Sequence, residues 1–155
     1  MTSSSLFARD ARGKVPFLCV DASFALKVVL PEEESQLVVR KWEDWQAEGI
    51  TVVAPWLFAF EVMAVLRQKV ARKNITTREG LAAWETLCDL GVELRHHEDL
   101  WERAWDLATR YHRPTTYDTS YLALAEILDC ELWTSDRRFL KALNNREPRV
   151  KWLFV

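Results

Sequence analysis

The sequence predicts an α/β fold, a three-layer α/β/α sandwich around a central, mostly parallel sheet. Three observations predict it. Short apolar runs of strand length alternate with longer stretches of helical periodicity. Two of those runs lead into an acid that also opens a helix, in FLCVDASFAL at residues 17–26 and in ELWTSDRRFL at residues 131–140. The composition, 49% hydrophobic with eight tryptophans in 155 residues, is enough to cover both faces of such a sheet.

The elements follow in order. Residues 16–20 form the first strand, an unbroken apolar run suited to burial on both faces. Asp21 is a good N-cap, and a helix covers about Ala22 to Leu30 until Pro31 breaks it. A second helix starts near Glu32 and reaches about Ala47, with Leu37, Val38, Trp42 and Trp45 at helical spacing. Ile50 to Ala54 is a strand closed by Pro55, and Trp56 to Arg72 a long helix with a heavily apolar face. Thr76 or Thr77 caps a helix to Leu90, where Gly91 stops it. Val92 to Leu94 is a short strand, Glu98 to Tyr111 a helix, and Arg113 to Tyr117 a loop broken by Pro114. Asp118 to Leu128 is a helix, Glu131 to Trp133 a strand, Asp136 to Leu143 a helix, and Val150 to Val155 a terminal strand. Residues 1–14 read as a loose polar tail and 15–155 as a single domain.

Several function classes are excluded. A net charge of −2 is not that of a polybasic nucleic-acid binder, so any such binding relies on a local patch. The four glycines form no nucleotide-cradling loop. Cys19, Cys88 and Cys130 lack zinc-ligand spacing; each has an apolar context that predicts a buried free thiol, which fits a cytoplasmic protein. No run is long enough to span a membrane, and the N-terminus lacks the apolar core of a secretory signal. His96, His97 and His112 show no catalytic spacing and read as surface or loop residues. Trp42, Trp45, Trp56, Trp84, Trp101 and Trp105 fall in predicted helices and read as core or interface packing.

The acids carry the chemistry. Ligands of open α/β sheets sit outside the carboxyl ends of the strands, where this order puts Asp21 and Asp136. Glu61, in WLFAFEVMAVL, shares a helix face with Leu57, Phe58, Ala64 and Val65. A carboxylate there is costly unless a cation meets it, so its plain reading is a buried salt bridge. Asp118, in YDTSYLALAEIL, opens an amphipathic helix whose apolar side carries Tyr121, Leu122, Ala125 and Leu128; its plain reading is an N-cap. If the four converge, their oxygens suit magnesium or manganese.

The stretches VDASFALKVVLPEE, PWLFAFEVMAVLRQ, YDTSYLALAE and LWTSDRRFLKAL together resemble the four characteristic blocks of the PIN domain. More narrowly they resemble the VapC-type toxin ribonucleases of toxin–antitoxin pairs, from about Pro16 onward. The resemblance implies a Mg2+- or Mn2+-dependent endoribonuclease whose acids are Asp21, Glu61, Asp118 and Asp136. Asp21 and Asp118 would hold the first metal, with Glu61 and Asp136 ligating directly or through water; the Thr134 hydroxyl and Ser23 would support the site. It also implies an RNA substrate, a homodimer and a small VapB-like antitoxin. Arg113, Arg137 and Arg138 are candidate contacts to RNA phosphates, each with a plain reading as a solvated charge. The alternative function is a non-catalytic PIN-like module that binds RNA or protein. A phosphate-switch domain fits less well, because FLCVDAS carries one acid where such a domain needs an adjacent pair.

Overall fold

Phe17–Val20 form strand β1, and Leu18, Cys19 and Val20 are buried. A strand apolar on both sides must be covered on both sides, and β1 is the middle strand of its sheet. The structure is a computed structural model that describes residues 16–153. The expected 1–14 tail and the last two residues of the expected terminal strand lie outside that range.

Among the described residues, β1 is followed by α1 (Ala22–Val29), α2 (Ser35–Ala47), β2 (Thr51–Pro55), α3 (Leu57–Ala71) and α4 (Thr77–Asp89). Then come β3 (Glu93–Arg95), α5 (Leu100–Arg110), α6 (Tyr117–Ile127), β4 (Glu131–Trp133), α7 (Arg137–Leu143) and β5 (Val150–Lys151). The strands lie in the order β3-β2-β1-β4-β5 and every pair is parallel. Helix α6 lies over β1, β2 and β4 with α5 packed on it, while α1 packs with α2, α3 and α4. This is the three-layer sandwich that the alternation predicts.

Three local expectations are corrected. Helix α2 starts at Ser35, not Glu32, because Glu34 adopts a left-handed backbone (φ 70°) and Ser35 Oγ closes the turn by accepting from Glu32 N at 2.9 Å. Of the cysteines only Cys19 is buried; Cys88 is exposed, because α4 turns Gly80, Ala83 and Leu87 inward and Cys88 sits one step round from Leu87. The terminal strand is short, with Val150–Lys151 as its described part. The choice between Thr76 and Thr77 resolves to Thr76, which makes a capping box with Glu79.

Two packing features hold the site's framework. Phe24 stacks on Trp45 at 5.4 Å between ring centroids, and Trp133 meets Trp45 edge-on at 5.2 Å, tying α1, α2 and β4 together. Gly80 lets α4 press on α3, since a Cβ there would lie 2.9 Å from Val70 Cγ2.

Candidate active site

The order β3-β2-β1-β4-β5 reverses direction between β1 and β4, the place where an open parallel sheet leaves a crevice at its carboxyl edge. Val20 pairs with Trp133, so the next residues, Asp21 and Thr134, emerge side by side. Asp21 N–H still bonds Trp133 O at 3.2 Å. Its side chain caps α1, with Oδ1 accepting from Phe24 N at 3.0 Å and from Ser23 Oγ at 2.6 Å. Thr134 Oγ1 donates to Asp21 Oδ2 and accepts from Asp136 N at 3.0 Å. Ser23 Oγ accepts from Ser135 N at 2.9 Å. The two hydroxyls therefore stitch one strand end to the other, and three donors, one of them backbone, fix the Asp21 carboxylate.

Asp136 is the N-cap of α7, its Oδ1 accepting from Arg138 N at 2.9 Å and Phe139 N at 3.1 Å. For Asp21 and Asp136 the capping and site readings thus hold together. For Asp118 the cap reading fails: the N-cap of α6 is Thr116, which makes no side-chain cap bond, and Asp118 stands inside the first turn. Its Oδ2 accepts instead from Arg113 Nη2 at 2.9 Å.

The salt-bridge reading of Glu61 also fails. Among the described residues no lysine or arginine meets it, and its Oε1 is buried with no hydrogen-bond partner. Beside it is Tyr121, 1% exposed, whose hydroxyl favours the charged form of Glu61 yet is itself without a well-formed hydrogen bond. Tyr121 is a site residue the sequence reading misses. Its spacing from Asp118, three positions along α6, was the available signal.

The four acids feel one another. Burial pushes Asp21 up from its ordinary 3.8 to about 6, against the pull of its donors, and Asp136 adds to the rise. Burial, then the charges of Asp21 and Asp118, push Glu61 from 4.5 to about 7. Asp118 is raised by burial and by Asp136, with Arg113 opposing. The folded protein therefore keeps protons that the unfolded chain has lost between about pH 4 and 7, so stability falls as pH rises through that window. In chelator, the melting temperature should drop from pH 5 to pH 7.5 by about 5–10 °C, corresponding to on the order of 3 kcal/mol. Magnesium should narrow the difference, because it favours the ionised carboxylates. A melting temperature that climbs across this window would contradict the coupling.

The donor chemistry fits a hard divalent ion, and Glu61 Oε1 is a buried oxygen in want of a positive partner. Among the described residues, however, no group of three or more His, Cys, Asp or Glu side chains is drawn together tightly enough to hold a metal ion as it stands. The arrangement thus fits an ion bound through one or two carboxylates and several waters, the habit of magnesium, and not an all-protein cage.

A groove of about 780 Å³ opens from Asp136, lined also by Lys27, Glu34, Ser135, Arg137 and Arg138. Arg137 is highly exposed and reaches Glu34 at 3.7 Å. Lys27 bonds Glu34 at 3.3 Å. Elsewhere on the surface, His96 is sandwiched between Trp56 and Trp101, at 5.1 and 5.2 Å. Trp42 and Trp45 are core residues, but Trp56, Trp101 and Trp105 are 60%, 74% and 69% exposed. Among the described residues no helix is long and apolar enough to cross a membrane.

Comparison with known proteins adds a family. The PIN domain model matches residues 18–143, a span that holds all four acids. VapC ribonuclease Mb0985 of Mycobacterium bovis is 32% identical over 121 residues, 78% of this chain and 87% of that protein. Ribonuclease VapC12 of Mycobacterium tuberculosis is 32% identical over 125 residues, 81% of this chain and 91% of its own. Among solved structures, PAE2754 from Pyrobaculum aerophilum aligns with a TM-score of 0.64 at 17% identity, covering 89% of this chain and 91% of that one. VapC20 of Mycobacterium tuberculosis, described as a sarcin-ricin loop cleaving toxin, aligns with a TM-score of 0.61 at 19% identity, covering 81% and 94%. At these identities the two structures speak for the fold.

Proposed function

The chain belongs to the PIN domain family, and from that membership we propose that it is a Mg2+- or Mn2+-dependent endoribonuclease, the toxin of a toxin–antitoxin pair. The observation that carries the reading is the set of four mutually repelling carboxylates at the sheet's crevice, one of them with a buried oxygen that no described residue satisfies. Asp21 and Asp118 hold the metal, and Glu61 and Asp136 complete the site directly or through water. When bound, the ion supplies the charge neutralisation and water activation that phosphodiester hydrolysis needs. The chain's own contribution is preorganisation: Ser23, Thr134 and the Phe24 amide set the Asp21 carboxylate before any ligand arrives. Arg137 and Arg138 follow Asp136 and line the groove with it, which supports them as contacts to an RNA phosphate. The presence of all four acids favours this reading over a non-catalytic binding module. The test is cleavage of a pool of cellular RNAs by the purified chain with magnesium or manganese and with chelator. Metal-dependent, mappable cuts support the reading; intact RNA in every condition overturns it.

The partners in this reading are RNA, a small VapB-like antitoxin and a second copy of the chain, in the cytoplasm. An exposed aromatic face supports the homodimer. Trp56 and Phe60 are one turn apart at the start of α3, Trp101 and Trp105 one turn apart on α5, and His96 bridges the two helices. Such a face is unusual unless something covers it. Trp101→Glu should convert a dimer to a monomer in light scattering. A monomeric wild type, or a variant that stays dimeric, would contradict this use of the face.

A further inference from the structure

A cation of the chain's own meets the acid cluster. Among ion pairs between described residues, Asp118 is the only one of the four acids met by a basic side chain, Arg113 Nη2 on Oδ2 at 2.9 Å. The guanidinium is delivered by a fixed backbone. His112 takes a left-handed conformation (φ 52°) at the end of α5, and Arg113 N–H bonds Ala108 O at 2.8 Å. Pro114 follows. The pair is neither buried nor free, with the two side chains 24% and 28% exposed, so the guanidinium can leave the carboxylate for water.

From this geometry we infer that Arg113 is a resident counter-ion that competes with the divalent cation for Asp118, and so sets how tightly the site takes up metal. The inference rests on the metal reading above. The guanidinium and the ion carry the same sign and need the same carboxylate. Whatever free energy Arg113 contributes to the metal-free cluster must be given up, or the guanidinium displaced, when metal binds, and linkage makes that antagonism reciprocal. A loop staple with no such role would support the fold equally in both states.

The two roles separate in a titration. Mn2+ binding to the full chain would be measured by calorimetry for the wild type, Arg113→Gln and Arg113→Lys, with thermal melts in chelator and in manganese. Arg113→Gln should bind Mn2+ about tenfold more tightly, in the usual range of such couplings, while Arg113→Lys stays near wild type because it keeps the charge. Arg113→Gln should also melt lower than wild type in chelator and gain more from manganese. Equal or weaker Mn2+ binding by Arg113→Gln, beside clear binding by wild type, overturns the counter-ion role and leaves the metal site standing. No Mn2+ binding by any of the three overturns the metal site itself, and the counter-ion role with it.

Discussion

Asp118→Asn is expected to lower RNA cleavage by about a thousandfold or more while the protein remains folded. The scale is that of removing a group that stabilises charge at a reacting centre. The fold should survive because Asp118 caps nothing: Thr116 occupies the N-cap position of α6. Asparagine also keeps an oxygen that Arg113 can bond. What it loses is the negative charge that couples Asp118 to Glu61, and with it the means to hold a divalent ion. Cleavage assays beside circular-dichroism melts check both halves. Wild-type rate with wild-type metal dependence in Asp118→Asn would remove this residue from the site.

Glu61→Gln should do something less usual, raising the stability of the metal-free protein while destroying activity. Above pH 7 the Glu61 carboxylate is largely charged, partly desolvated, repelled by Asp21 and Asp118, and left with an unpartnered oxygen. Glutamine keeps the shape and removes the repulsion. At pH 8 in chelator the variant should melt about 3–8 °C above wild type, equivalent to on the order of 1–3 kcal/mol. The wild type should regain that difference with magnesium by mass action, and the variant should gain little. Had Glu61 been a salt-bridge residue, the substitution would strand a buried cation and lower the melting temperature. A variant that melts lower in chelator, with a wild type indifferent to magnesium and manganese, would remove Glu61 from the metal site.

The parts of this protein that were legible in the sequence are those where one pattern has one physical cause. Strands covered on both faces read as apolar runs, so Phe17–Val20 and its partners announced a parallel sheet. The repeated strand-then-acid step picked out Asp21 and Asp136, and parallel pairing brings such ends to the same edge. Glu61 stood out because a lone carboxylate on an apolar helix face demands an explanation. Where a pattern has several causes, the sequence is ambiguous. Asp118 reads as a cap because a helix's first turn favours acids whether they cap it or not. Tyr121 reads as packing because a phenol on an apolar stripe buries its ring regardless of what its hydroxyl does. Arg113 sits in a loop, and nothing in HRPTTYD says which way a long side chain will turn. The start of α2 is hidden for a related reason: the left-handed turn at Glu34 is held by Ser35, a contact that Pro31 and a run of glutamates do not announce.

The central claim is that Asp21, Glu61, Asp118 and Asp136 share a divalent cation at the crevice between β1 and β4. Anomalous diffraction from crystals of the protein soaked in manganese tests it most directly. The expected result is a manganese peak within coordinating reach of Asp21 and Asp118, with Glu61 and Asp136 ligating it directly or through water, and with the Arg113 guanidinium displaced from Asp118. A map with no peak in the crevice, or with manganese bound only elsewhere on the chain, would contradict it.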